Sequence, residues 1–126
     1  MKIEKLDHLV LTVKDIPTTC RFYSEVLGMK VITFDDSRKA LSFGQQKINL
    51  HQKGHEYEPK ALYPTPGSAD LCLVTKTPLT KVIEQLDSQQ VPIEQGPIEK
   101  HGALGKIISI YLRDPDQNLI EISNYQ

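Results

Sequence analysis

The sequence predicts an α+β fold in which two βαβββ repeats form one curved mixed sheet, a cup or half-barrel with its helices outside. Three observations carry this. Strand-like alternation and helix-like periodicity occur twice in the same order, once before and once after a proline-rich stretch at 54–67. Displacing the chain on itself by 62 residues aligns Leu9-Val10-Leu11 with Leu71-Cys72-Leu73, Lys14 with Lys76 and Val31 with Ile93 without a gap. A chain of 126 residues suits one domain, or two small repeats sharing a core, and can bury about two-thirds of its unfolded surface. The expected organisation is one domain, with a first repeat at 5–53, a linker at 54–67 and a second repeat at 68–126.

The elements follow in order. Leu6 to Val13 reads as a strand with Leu9, Leu11 and Val13 on its apolar face and His8, Val10 and Thr12 on the other. A helix comes next: Asp15 can cap it, Pro17 suits its first turn, Ile16, Cys20, Tyr23 and Leu27 recur at helical spacing, and Gly28 stops it. It should cover the Leu9/Leu11 face, leaving His8 to point away from it. Short strands are expected at 30–34, 40–44 and 47–52, separated by Asp35-Asp36-Ser37-Arg38 and Gly44-Gln45-Gln46 as turns. In the last of these, Lys47, Asn49 and His51 share a face. In the second repeat Pro78 opens a helix whose Leu79, Val82, Ile83 and Leu86 form an i, i+3, i+4, i+7 stripe over Leu71 and Leu73. Strands are expected at 91–94, 106–112 and 119–124, with a flexible loop from Gln95 to Gly105. Asp114-Pro115-Asp116-Gln117-Asn118 is a dense turn signal, after which Ile120 and Ile122 face one way and Leu119, Glu121 and Ser123 the other.

Composition narrows the function. A net charge of -1 without a long basic run gives no electrostatic case for nucleic acid or an anionic membrane. Met1 to Asp7 has no apolar targeting core and no stretch approaches the roughly 20 residues of a membrane span, so a cytoplasmic protein is expected. Cys20 and Cys72 are too few for a disulfide framework and read as reduced packing residues. No phosphate loop, dinucleotide fingerprint or serine elbow is present.

Four polar residues, His8, His51, Asp70 and Glu121, stand at corresponding places on the strand faces turned away from the helices, with His51 aligned to Glu121 and His8 to Asp70. Two imidazoles with one or two carboxylates suit a divalent metal with an open position; an unmetallated polar pocket is the alternative. Lys47 is the only cation expected on those faces. His55 and His101 read as linker and loop residues.

The paired repeats, the opening Leu6-Asp7-His8-Leu9-Val10-Leu11, Phe22-Tyr23 followed by Leu27-Gly28, and Asp114-Pro115-Asp116-Gln117-Asn118-Leu119-Ile120-Glu121 resemble the vicinal oxygen chelate superfamily, which includes glyoxalase I, fosfomycin-resistance proteins, methylmalonyl-CoA epimerase and extradiol dioxygenases. Asn49-Leu50-His51, Pro59-Lys60-Ala61, Ser109-Ile110-Tyr111 and Ser123-Asn124-Tyr125 resemble in particular a subgroup of glyoxalase domain-containing proteins. The resemblance implies one divalent metal, Zn, Ni, Mn or Fe, held by His8, His51 and Glu121 and chelating two neighbouring oxygens of a small substrate. It also implies a homodimer. Asp70 replaces a histidine usual in glyoxalase I, and Gln117 stands where the family usually has glycine. The expected activity is lyase or isomerase chemistry resembling lactoylglutathione lyase, with Asp70 or Glu121 moving a proton. Alternatives are ring cleavage by non-haem iron, with Tyr111 as an acid, and small-molecule binding without turnover, as in bleomycin-resistance members.

Overall fold

Eight strands and two helices succeed one another in the computed structural model, which describes residues 1–126. The order is β1 (His8–Val13), α1 (Ile16–Glu25), β2 (Lys30–Phe34), β3 (Arg38–Phe43) and β4 (Gln46–Gln52), then β5 (Asp70–Val74), α2 (Leu79–Ser88), β6 (Gln95–Gly102), β7 (Gly105–Arg113) and β8 (Leu119–Tyr125). The α+β class and the two βαβββ repeats are therefore as the sequence predicts. Hydrogen bonding divides the strands into two four-stranded sheets, ordered β1-β4-β3-β2 and β5-β8-β7-β6, in place of one continuous sheet. In each repeat the first strand pairs in parallel with the last, which completes the sheet inside that repeat. The proline-bearing segment between them has no strand with which to extend a ladder. The chain accordingly forms two compact units, Met1–Gly67 and Ser68–Gln126.

In the first unit the alternation of β1 is realised: Leu11 and Val13 are buried while His8 and Val10 are exposed. Asp15 caps α1 by accepting from the Thr18 backbone N–H at 3.0 Å, and Pro17 occupies the first turn. The helix ends at Glu25, so Leu27 lies beyond it, and Gly28 takes a φ of 71° that a side chain would strain. Helix α1 packs across β2, β3 and β4, the strands that carry buried Ala40, Leu41, Ile48 and Leu50. Strand β3 begins at Arg38, two residues earlier than expected, because Phe34 and Arg38 already form the last register pair of the β2–β3 hairpin. That places Arg38 on the sheet face of Ala40 and Ser42 instead of in the turn.

The second unit departs most at β6. Residues 91–94 do not form a strand; the Gln95–Gly105 stretch expected to be a loop supplies β6 and its turn into β7. Gly96 and Pro97 hide this strand from a composition reading, yet their place in it has a physical reason. The register shifts between Gln95 and Ile98, and a Cβ on Gly96 would stand 2.4 Å from the Ser109 carbonyl oxygen. Only glycine lets the backbones approach so closely. His101 is consequently a strand residue paired with Lys106, not part of a flexible loop.

Each helix is tied to the last strand of its own repeat by a side-chain amide. Gln52 Oε1 accepts from the Ile16 N–H at 3.0 Å and its Nε2 donates to the Lys14 carbonyl. Asn124 Oδ1 accepts from the Leu79 N–H at 2.9 Å, and its Nδ2 donates to the Thr75 and Thr77 carbonyls at 2.8 and 3.0 Å. Pro78 at the N-cap of α2 makes no side-chain cap bond, so Asn124 supplies an acceptor that the helix start needs. Leu79, Val82 and Leu86 are buried as the stripe predicts.

Candidate functional site

Glu121 sits in the middle of β8, with Ile120 and Ile122 buried beneath it and its own side chain on the opposite face. The register sets Cys72 of β5 on one side of it and Tyr111 of β7 on the other. The Ser109 hydroxyl donates to Glu121 Oε2 at 2.5 Å, Ser109 and Ser123 hydroxyls lie 2.7 Å apart, and Cys72 Sγ is 3.3 Å from Ser123 Oγ. Ser109 and Ser123 are fully buried on the same sheet face, so their hydroxyls fix the carboxylate from alongside it. Above it opens a cleft of about 500 Å³ whose lining includes Cys72, Lys100, His101, Tyr111, Glu121 and Tyr125. All of these belong to the second unit.

The electrostatics favour protonated neighbours around this carboxylate. Burial, then the charge and hydrogen bond of Glu121, push the Tyr111 phenol above its ordinary pKa. Burial is also the first cause that raises the Cys72 thiol, with Glu121 and Asp70 adding to it and the Ser123 hydrogen bond opposing it. Tyr111 therefore remains an O–H donor near neutral pH, and Cys72 a poor nucleophile. In a Cys20→Ser background, the pH profile of Cys72 alkylation by iodoacetamide should have its midpoint above that of an ordinary thiol, and Glu121→Gln should move it down. A midpoint at or below the ordinary value would contradict this.

Asp70 opens β5 as an exposed residue opposite Leu119. It is thus one pleat along from Cys72, the neighbour of Glu121.

The first unit holds both histidines of the implied metal set, and it does not bring them together. In the parallel β1–β4 ladder His8 pairs with Lys47, whereas His51 pairs with Thr12. They stand four positions apart along adjacent strands, roughly 13 Å of strand rise. His8 is exposed, and its Nδ1–H donates to Asp7 Oδ2 at 2.7 Å, leaving Nε2 as the free ring nitrogen. His51 is only 3% exposed, and Arg38 Nη2 lies 3.4 Å from its Nε2. Burial foremost, and then the Arg38 charge, lower the His51 pKa, so this imidazole is neutral near pH 7.

The register also corrects the pairing of the repeats. Val10 faces Asn49 as Cys72 faces Glu121, which makes Asn49 the counterpart of Glu121 and sets His51 against Ser123. Asn49 is buried, and its Oδ1 has no hydrogen-bond partner. The capping amides Gln52 and Asn124 carried the signal: aligned with each other, they give this same pairing directly.

A family model described as Glyoxalase/Bleomycin resistance protein/Dioxygenase superfamily matches residues 5–122. The chain belongs to this superfamily. Among its relatives is Virulence protein STM3117 of Salmonella typhimurium, 60% identical over 99% of this chain and 87% of that protein. The crystal structure of STM3117 superposes with a TM-score of 0.99 over 100% of both chains. Glyoxalase domain-containing protein RDO1 of Mycosarcoma maydis is 52% identical over 100% of this chain and 71% of that protein. A lactoylglutathione lyase from Agrobacterium tumefaciens, 17% identical, shares the fold with a TM-score of 0.74 over 98% of this chain and 96% of that one.

The superfamily typically binds metal ions. Within neither unit do three His, Cys, Asp or Glu side chains gather into a group that could hold one. His8 presents a suitable nitrogen and Glu121 a suitable oxygen, but a guanidinium against the Nε2 of His51 repels a cation there. The implied set of His8, His51 and Glu121 thus does not fit a metal inside either unit. No helix is long and apolar enough to cross a membrane.

Proposed function

We propose that the chain is a lyase or isomerase of the glyoxalase type, in which Glu121 moves a proton between adjacent carbons of a small carbonyl substrate in the cleft of the second unit. The observation that carries this reading is the Glu121 carboxylate, anchored through Oε2 by Ser109 and flanked on the neighbouring strands by Tyr111 and Cys72. A carboxylate anchored by a buried serine in the lining of a cleft has the form of a general base. It takes the proton from the carbon next to a carbonyl. Tyr111, kept protonated, donates to the oxygen on which the enolate charge develops, and the Lys100 side chain in the same cleft adds a positive charge. The protonated Glu121 then returns its proton to the neighbouring carbon. Tyr111 recovers a proton from the oxygen that becomes the new carbonyl, so the substrate is isomerised without net loss or gain.

The experiment follows the hemithioacetal of methylglyoxal and glutathione, and simple 2-hydroxy ketones, by NMR with the full chain. Each probe is run without added metal and with Zn, Ni, Mn or Fe. Isomerisation of at least one probe, lost in Glu121→Gln, is the expected result. Saturable binding without conversion of any probe under every condition would overturn the enzymatic reading in favour of a binding protein.

The reading carries a homodimer with it, as superfamily members often dimerise. Light scattering behind size exclusion should give twice the 14.3 kDa chain mass. A monomer at tens of micromolar protein would contradict it.

A further inference from the structure

The first unit contains a cation that the proton-transfer chemistry leaves unused. Arg38 extends from the start of β3 with its guanidinium 4.2 Å from the centre of the Tyr57 ring and 5.1 Å from that of Phe34. Its Nη2 approaches neutral His51, no carboxylate stands within ion-pair distance of it, and its Nε is buried without a hydrogen-bond partner. Lys47 Nζ lies 4.1 Å over the same Phe34 ring. The acid whose charge acts on His51 is Glu56, and it is engaged elsewhere: Gly54 N–H donates to it at 2.6 Å and Lys60 Nζ lies at 3.8 Å. A buried guanidinium donor without an acceptor is costly, and aromatic walls that fix its plane prepare it for a planar acceptor.

A second unpaired atom has the opposite demand. Asn49 Oδ1 is buried and lacks a donor. The register places Asn49 opposite Ala40, one pleat from Arg38 on β3 and one pleat from His51 on β4, all on one sheet face. A ligand that satisfies both atoms offers an acceptor to the guanidinium and a hydroxyl donor to the amide oxygen.

We propose that this face of the first unit binds a small 2-hydroxycarboxylate, its carboxylate on Arg38 and its hydroxyl donating to Asn49 Oδ1. The planar two-oxygen group matches the fork of a guanidinium, and the single well-placed guanidinium suits a monoanion better than a phosphate dianion. This site lies wholly within the first unit and is independent of the Glu121 reading.

The test titrates lactate into the full chain while NMR follows the His51 imidazole and Tyr57 ring signals. Propionate, which lacks the hydroxyl, and inorganic phosphate serve as comparisons. Lactate should shift both residues saturably and bind more tightly than propionate and phosphate. Arg38→Gln, with its fold checked by circular dichroism, should weaken lactate about tenfold or more. Asn49→Ala should abolish the preference for lactate over propionate while retaining carboxylate binding. If either variant fails to fold, the milder Arg38→Lys should still lose several-fold in affinity, because an ammonium cannot reproduce the fork. Absence of saturable shifts, undiminished binding by a folded Arg38 variant, or tighter binding of phosphate would overturn the assignment.

Discussion

Asp114→Ala should cost the second unit about 3–5 kcal/mol and lower its thermal midpoint by roughly 10–20 °C. Asp114 is 3% exposed, and its carboxylate organises the turn into β8. Oδ1 accepts from the backbone N–H groups of Asp116 and Asn118 at 2.8 and 2.9 Å, and Oδ2 accepts from Asn118 Nδ2 at 2.8 Å. Asn118 in turn accepts from the Ala69 N–H at 2.8 Å through Oδ1, which fixes where β5 begins beside β8. Alanine would leave three donors without acceptors in a site closed to water, each at about 1–3 kcal/mol. Asp114→Asn keeps an acceptor for the backbone groups but turns an amide N–H₂ or a weaker acceptor toward Asn118, so a loss of about half that size is expected. Thermal and urea unfolding followed by circular dichroism measure both; a loss under about 1 kcal/mol for alanine would contradict the account. Gln117, in the same turn, has a φ of 71°, so the glycine usual in the family should be tolerated or stabilising there.

Glu121→Gln should lower turnover by about 10²–10⁴, the range typical for loss of a general base, with much less effect on substrate affinity. Glutamine keeps the size of the side chain and an oxygen that can still accept from Ser109, so the cleft and the strand should persist. What disappears is the capacity to hold a proton. Ser109→Ala should have a smaller effect, because Ser109 positions the carboxylate without touching substrate; its readout is a shifted pH–rate profile, not lost turnover. Unchanged turnover in a folded Glu121→Gln protein would transfer the proton-moving role elsewhere.

Most of the architecture was legible because it rests on local chemistry. The Asp15 cap, the Pro17 first turn, the α2 stripe and the alternation around Ile120 and Ile122 each follow from residue type and spacing. The missing parts depended on pairing at a distance. Residues 95–102 become a strand because β7 offers a ladder along their length, and the glycine that helps disguise them serves the close approach at Ser109. Arg38 looked like a turn residue because the end of a hairpin is set by register. That misreading hid the only cation in direct contact with His51.

The candidate site was legible by residue type more than by position. His8, Asp70 and Glu121 do face away from the buried side of their strands, as alternation requires. The pairing of His51 with Glu121 was displaced by one pleat, since a single identity, Ile48 with Ile120, is all that the two final strands offer to fix their alignment. Alternation placed Ser123 on the face of Glu121, but nothing in the sequence marked Ser109 and Ser123 as the residues that hold its carboxylate. Small hydroxyls on a strand are ordinary until the register puts them side by side.

The central claim is that Glu121 exchanges a carbon-bound proton. Its most direct test is solvent deuterium exchange: the protein is incubated in D₂O with the methylglyoxal–glutathione hemithioacetal or dihydroxyacetone, and deuterium at the carbon next to the carbonyl is followed by NMR. The account predicts incorporation above the uncatalysed rate by the parent protein and none above that rate by folded Glu121→Gln. Equal incorporation by both proteins, or none by the parent with any probe, would contradict it.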